Sequence, residues 1–274
     1  MKTSQIELHT HPYFNAYGIE EIIKAMGKNE INIIGLEYLN KQAFLDVQWN
    51  AADLAKHGYD VRADSLAVKI EREGKEFYLL KAAEHSTKDN FHLLTIGYDN
   101  IESQSTRKII ESALKQDSLV ILDHPFVNIN YVGKEITEQQ EKELGKICKE
   151  YSGSIALEWN SYCIPWLRKI ICGRDVNENA INLSKKLASE GHNVPVVTDT
   201  DLHARNTTSL KAIGTGRIKS EVNLTSGRAI INSLKQNIFS GRYENNCKTV
   251  PPSHFIPNFA LPYVLEKFYY RPRG

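Results

Sequence analysis

The stretch that decides the fold runs from Ile6 to Leu36. It opens with Ile6-Glu7-Leu8-His9, continues through Ile19, Ile22, Ile23 and Met26, reaches Gly27, and closes on Ile31-Asn32-Ile33-Ile34-Gly35-Leu36. Apolar residues three and four apart mark one face of a helix, and the short apolar runs on either side have the character of strands buried on both faces. Strand, helix and strand in that order form a parallel unit, with Gly27 as the expected helix stop.

The alternation continues along the chain. Ala43, Phe44, Val47, Ala51, Leu54 and Ala55 predict a second helix ending near Gly58. Leu66 to Glu84 interrupts the rhythm with a hairpin at Glu73-Gly74, whose second arm, Phe77 to Ala83, is the third barrel strand. His92 to Tyr98 reads as a fourth strand, Ile109, Ile110, Ala113 and Leu114 as a helix, and Leu119 to His124 as a fifth strand. Thr137 with Gln140 predicts a capping box for a helix carrying Leu144, Ile147 and Cys148. Ile155 to Trp159 is the sixth strand, a helix through Ala180, Ile181, Ser184, Leu187 and Ala188 stops at Gly191, and Val194 to Asp199 is the seventh. After a last helix with Ile230, Ile231, Leu234 and Ile238, the segment from Asn245 has no clear period. The expected fold is α/β: a distorted seven-stranded, TIM-like β/α barrel over residues 1–244 with a hairpin insertion, and a C-terminal tail over 245–274 packed on it.

Composition agrees with one globular domain. Of 274 residues, 41% are hydrophobic and 24% charged, enough to build a sizeable core without extensive disorder. A net charge of +1 supplies no global field for polyanions, so a phosphate-bearing substrate has to be held locally and nucleic acid binding is unsupported. No apolar run reaches the length of a membrane span, and the start Met-Lys-Thr-Ser-Gln lacks a signal peptide's apolar stretch, which implies a cytoplasmic protein. Cys148, Cys163, Cys172 and Cys247 have no CxxC spacing and read as reduced thiols, neither bridged nor ligating.

The chemistry is signalled by where the metal-ligand residue types fall. His9 and His11, Glu84, His124, Glu158, and Asp201 with His203 all stand at or just beyond the end of an expected strand. Strand ends of a β/α barrel converge on one face. Residues i and i+2 of a strand share a side, so both imidazoles of His9-Thr10-His11 can chelate one ion, while Glu84 can bridge to a second that His124 completes. Any one of these residues alone is weak, because a strand-end histidine is commonly a hydrogen-bonded surface residue.

The motifs Glu7-Leu8-His9-Thr10-His11, Ala83-Glu84, Asp123-His124-Pro125, Leu157-Glu158-Trp159-Asn160 and Thr200-Asp201-Leu202-His203 together resemble the PHP (polymerase and histidinol phosphatase) family of metal-dependent phosphoesterases. The resemblance spans about residues 5 to 240, in the family's order. TatD-type metal nucleases are similar in their opening HxH and closing Asp. The PHP resemblance implies that His9, His11, Glu84 and Asp201 hold one divalent metal and that Glu84, His124 and Glu158 hold a second, the ions being zinc, manganese or iron. A third ion in the family uses the final histidine, here His203, with an acid and a histidine that this chain lacks. Residues 12–18 contain no acid, and Leu39 stands where that histidine would be. The expectation is therefore at most two metals, with His203 hydrogen-bonding substrate, water or phosphate; Glu37 is the residue that could overturn it.

The expected activity is hydrolysis of a small phosphomonoester or nucleotide-like substrate, with Asp201, His203 and Arg205 at the reacting centre and Arg205 as a phosphate clamp. The rivals are a metallohydrolase acting on a C–N bond and a catalytically inactive PHP-like binding protein. His57, His85, His92, His192 and His254 are expected to be structural or surface residues, and Gly214-Thr215-Gly216 is too short for a dinucleotide fingerprint. Trp159 and Trp166 are expected in the core.

Overall fold

The structure is a computed structural model that describes residues 1–12, 18–37, 41–99, 104–127, 136–164 and 175–261. Strand β1 (Lys2–Pro12) leads into α1 (Ile19–Lys28) and β2 (Ile33–Glu37), the parallel unit that the apolar spacing predicts. Ile19, Ile22, Ile23 and Met26 are buried along one stripe of α1. Each such side chain stabilises the fold by roughly 1.5–3 kcal/mol relative to exposure. The helix passes through Gly27 and stops at Lys28, with Asn29 as its C-cap, one residue beyond the expected stop; a Cβ at Gly27 would meet the Phe77 ring only in ordinary van der Waals contact.

Beyond α2 (Lys41–Leu54), three strands follow without a helix: β3 (Asp60–Ala63), β4 (Ala67–Arg72) and β5 (Lys75–Ser86). Glu73 and Gly74 turn β4 into β5 with φ of 51° and 75°, the mirror-image turn that suits strand twist. Next come β6 (His92–Ile96), α3 (Thr106–Leu114), β7 (Leu119–Asp123), α4 (Glu138–Glu150), β8 (Ile155–Asn160), α5 (Val176–Ser189) and β9 (Val196–Asp199). The capping box of α4 is present: Thr137 Oγ1 accepts from the Gln140 N–H at 3.2 Å, and Gln140 Oε1 from the Thr137 N–H at 2.9 Å. Then come β10 (Leu202–Ala204), β11 (Arg217–Val222), α6 (Gly227–Phe239) and β12 (Tyr243–Asn246), followed by short helical turns over Pro252–Phe255 and Ile256–Ala260.

The sheet is mixed and nearly closed, and its main path has nine strands rather than seven, in the order β12-β11-β1-β2-β5-β6-β7-β8-β9. Of the two additions, β11 lies antiparallel beside β1 and β12 lies antiparallel beside β11 at the sheet's edge. Their pattern is legible in the sequence, since Ile218, Ser220 and Val222 alternate inward with exposed or half-exposed neighbours. Asn245 and Asn246, at the start of the expected tail, belong to β12. A second difference is direction: β6 runs antiparallel to both β5 and β7. Residues 87–91 are too few for the crossover of a dozen or more residues that a parallel partner requires.

Closure comes from one segment serving two neighbours. Strand β9 pairs with β8, and three residues later β10 pairs with β1, matching His11 with His203. Inside, Ile6, Leu8, Ile33, Leu80, Leu94, Ile121, Ala156 and Val197 form one apolar cluster with Ile230, Ile231 and Leu234 of α6. Arg228 of α6 donates to the carbonyls of Gln116 and Asp117, just before β7, which places this helix at the end where the parallel strands begin. The opposite end is left to polar residues.

Candidate metal centre

At that polar end a bulge aims the first two histidines. Between Glu7 and Thr10, β1 advances three residues while β2 advances two, from Ile34 to Leu36. The extra residue reverses the alternation, so Leu8 lies in the inner apolar cluster and His9, its neighbour, also turns inward to the carboxylates. Gly35 makes this possible, since a Cβ there would collide with the Leu8 carbonyl.

His9 is fully buried and presents its two ring nitrogens to different groups. Nε2 faces Glu37 Oε1 at 3.1 Å, His11 Nε2 at 3.1 Å and Asp201 Oδ1 at 3.4 Å. Nδ1 lies 2.6 Å from Glu158 Oε1 and 3.3 Å from Asp123 Oδ1. His11 meets Glu37 Oε2 at 3.3 Å, Asp201 Oδ1 at 3.3 Å and Glu84 Oε2 at 3.8 Å. Glu84 turns its other oxygen, Oε1, to His92 Nδ1, with which it is in hydrogen-bond contact, and to His124 Nε2 at 3.8 Å. Asp123 Oδ2 lies 3.1 Å from His124 Nε2 and 3.8 Å from His92 Nδ1.

Four groups of ligand atoms therefore lie within metal-binding reach of one another. They are His9, His11, Glu37 and Glu84; Glu84, His92, Asp123 and His124; His11, Asp201 and His203; and His9, Asp123 and Glu158. The structure thus brings together His9, His11, Glu84, His124, Glu158, Asp201 and His203, and adds Glu37, His92 and Asp123. His92, read from sequence as structural or surface, stands at the start of β6. Because β6 is reversed, its start lies beside the end of β5 and the end of β7, where His92 pairs with Ser86 and Asp123.

Glu158 differs from its expected place with Glu84 and His124. Its Oε1 engages the ring of His9, while Oε2 accepts from the His124 backbone N–H at 2.9 Å and Asn160 Nδ2 at 3.0 Å. Asn160 also donates to Asp201 Oδ2 at 3.0 Å. Behind them Glu7, fully buried, accepts from the backbone N–H groups of His9, Thr200 and Gly214 and from the Thr200 hydroxyl. Glu7 thereby ties the His9 backbone to the residue before Asp201. Two residues of the cluster have non-glycine backbone in the left-handed region, His124 at φ 25° and Asp201 at φ 57°. Such conformations persist where the surroundings over-determine them.

The electrostatics are those of crowded carboxylates. Burial pushes Glu158 up to about 8 and Asp199 up to about 7. Burial also raises Glu37 and Asp123 above the usual carboxylate range, although the charge of His9 pulls against it in both. For Glu84, burial would raise the carboxyl, but the hydrogen bond and charge of His92, with His11 and His9, hold it well below that range. Asp201 is held low in the same way by His9 and His203 against its burial. His9 is driven well above its ordinary value because Asp123, Glu37, Asp201 and Glu158 outweigh its burial, whereas burial and His203 lower His11.

This donor set fits divalent cations. Both oxygens of Glu37, both oxygens of Asp123 and Nδ1 of His124 are buried without a hydrogen-bond partner. Each such orphan costs roughly 1–3 kcal/mol unless something else satisfies it. Mixed imidazole and carboxylate donors suit zinc, manganese or iron. Cys148, Cys163 and Cys247 form no disulfide and belong to none of these ligand groups.

His203 is a quarter exposed at the rim, stacked on His11 with ring centroids 4.3 Å apart and its Nε2 3.2 Å from Asp201 Oδ1. Arg205 is half-buried, its backbone N–H bonded to the His203 carbonyl at 3.0 Å. His85, next to Glu84, faces the other way and bonds Thr95 Oγ1 at 2.8 Å. Trp159 is buried. Leu39, Trp166, Cys172 and residues 13–17 lie outside the described residues. No described helix is long and apolar enough to cross a membrane.

No protein-family profile matches the chain, and no curated protein matches its sequence. Solved structures do. PsfC from Pseudomonas syringae PB-5123 is 12% identical, with a TM-score of 0.55 over 98% of this chain and 100% of its own. The lesion-specific endonuclease PfuEndoQ from Pyrococcus furiosus is 17% identical, with a TM-score of 0.52 over 89% of this chain and 58% of its own. A two-domain protein from Bacteroides vulgatus containing a predicted PHP-like metal-dependent phosphoesterase is 12% identical, with a TM-score of 0.52 over 89% of this chain and 64% of its own. The chain thus spans less than two thirds of the endonuclease and of the two-domain protein. It shares the fold of PHP-like structures.

Proposed function

We propose that this chain is a divalent-metal-dependent phosphoesterase that hydrolyses a small phosphomonoester or nucleotide-like substrate. The observation that carries the reading is Glu84, which presents one oxygen to His11 and the other to His92 and His124, so that a single carboxylate belongs to two adjoining ligand groups. His9, His11, Glu84 and Asp201 would hold one ion, with Glu37 beside them. Glu84, His124, His92 and Asp123 would hold the second. Two such ions supply a water deprotonated near neutral pH and offset charge on phosphate oxygens.

The chain's own residues orient and bind. Glu158 acts through His9 as a positioning residue, holding Nδ1 so that Nε2 faces the cluster, the arrangement by which carboxylates set histidine ligands. Asn160 holds Glu158 and Asp201 in one frame. His203, at the rim and tied to Asp201, is placed to hydrogen-bond a phosphoryl oxygen or return a proton to the leaving group; with Glu37 between His9 and His11, we propose two ions rather than three. Arg205 is the proposed phosphate clamp.

The test is turnover by purified protein supplied with manganese or zinc, on phosphomonoesters, phosphodiesters including an oligonucleotide with an abasic lesion, and amides. Release of phosphate from monoesters that disappears in His124→Ala supports the reading. Cleavage of the amides alone, or metal binding without turnover on any phosphoester, sinks it. The lesion substrate is included because the endonuclease of similar fold is named for that activity.

A further inference from the structure

Many surface cations of this protein are paired. Lys69 meets Glu71 and Glu76, Arg107 meets Glu143 and Glu150, Lys149 meets Glu190, and Lys219 meets Glu244. One concavity departs from this pattern. A cavity of about 420 Å³ lies between the end of α1, the turn before β11 and the segment after β12. Lys211, Arg217, Lys248 and His254 all line it, with Asn29 and Gly214, and no carboxylate does among the described residues.

Two of the donors are set into the wall. Arg217 Nη1 donates to the Asn29 carbonyl at 3.0 Å, which fixes the guanidinium, while its Nε is buried without a partner. His254 Nε2 is also buried without a partner. Its wall is held by backbone bonds from Val250 N–H to the Ser161 carbonyl at 3.0 Å and from His254 N–H to the Pro251 carbonyl at 2.9 Å. Three permanent cations lining one hollow with no carboxylate among the described residues leave a surplus of positive charge that an anion with several acceptor oxygens would offset.

We propose that this cavity binds the phosphate group of a small molecule, at a site separate from the carboxylate and imidazole cluster. Separation follows from the wall between them: the Gly214 N–H donates to Glu7 Oε2 at 3.2 Å, and Oε1 of the same residue accepts from the His9 N–H at 3.3 Å. The buried Glu7 carboxylate thus stands between Gly214 of the cavity wall and the His9 backbone, and no residue of the metal cluster lines the cavity among the described residues. Basic side chains gathered around one cavity of about 420 Å³ suit a single phosphate group, whereas a nucleic-acid backbone is tracked by cations along a groove. The inference does not depend on the phosphoesterase reading.

The experiment titrates the full chain, loaded with metal, with inorganic phosphate at constant ionic strength and follows the His254 ring and Arg217 Nε–H signals by NMR. Both are expected to shift saturably, and to do so equally in His124→Ala, which impairs the metal cluster. In Lys211→Ala/Lys248→Ala the dissociation constant should rise about tenfold or more, as loss of charge-assisted hydrogen bonds implies, with the phosphate-free melting temperature unchanged. If the double variant fails to fold, Lys248→Gln alone, at an exposed position, should still weaken binding several-fold. No shift, equal shifts with chloride, or unchanged affinity in the folded variant would overturn the proposal. So would a single-stranded oligonucleotide lacking a terminal phosphate that binds these signals more tightly than phosphate does.

Discussion

The two halves of the candidate centre are built on different principles. In the β1–β2 half, His9, His11 and Glu37 stand at the ends of adjacent parallel strands, and the ligands run forward in the sequence as the strands do. In the β5–β6–β7 half, Glu84, Asp123 and His124 come from strand ends but His92 comes from a strand beginning, because β6 is reversed. The rule that barrel ligands sit at strand C-termini therefore reaches every position of the first half and all but His92 of the second, although the sequence reading named neither Glu37 nor Asp123 as a ligand. Strand direction, not residue type, separates them.

The strongest way to break this comparison is Glu84→Ala, which removes a carboxylate shared by both halves. Activity on a phosphomonoester should fall by more than about 10²-fold, and metal per chain should drop for both ions together; loss of one ion with the other intact would show that the halves are independent. Chelation should act through stability in the same sense. Each ion bound only to the folded chain, at about 100 times its dissociation constant, raises the melting temperature by roughly 5–10 °C for a protein of this size, so dialysis against EDTA should lower it by at least that amount in a calorimeter.

His92→Ala tests the second half alone. It should remove one ion by elemental analysis, keep the other, and reduce turnover about 10–100-fold. Glu37→Gln tests the first half and has two opposed effects. Metal affinity should weaken about tenfold or more through loss of a charged donor, while the metal-free protein should melt a few degrees higher, because a buried carboxylate among carboxylates is relieved. A fall in metal-free stability would mean that Glu37 is held by partners other than a cation. The smallest effect belongs to His85→Gln, which should leave metal content unchanged and cost about 1 kcal/mol through the bond to Thr95. Burial pushes His85 down to about 4, so its ring is neutral at pH 7 and contributes no charge to the cluster.

His85 and His92 look alike in sequence, each next to a strand end and neither in a motif. What distinguishes them was partly present in the spacing, since residues 87–91 permit only a hairpin and a hairpin brings His92 back beside the end of β5. Glu158 carried no such signal. Its type and place at the end of β8 suit either a ligand or a group that orients one, and only the position of His9 Nδ1 at 2.6 Å distinguishes the two.

The sequence by itself determined the seven barrel strands and the helices between them from Lys2 to Asp199, the capping box of α4, the turn at Glu73-Gly74 and the gathering of His9, His11, Glu84, His124 and Asp201 at one end of a sheet. These follow from local periodicity and from the geometry of parallel strands, which act over a few residues or hold for every barrel. The tertiary structure decided the reversal of β6, the pairing of β11 and β12 beside β1, the bulge that turns His9 inward over Gly35, and the partners of Glu158. Each of those depends on which backbone lies alongside another, and residues far apart in the chain settle that through hydrogen bonds and close contacts that no local pattern encodes.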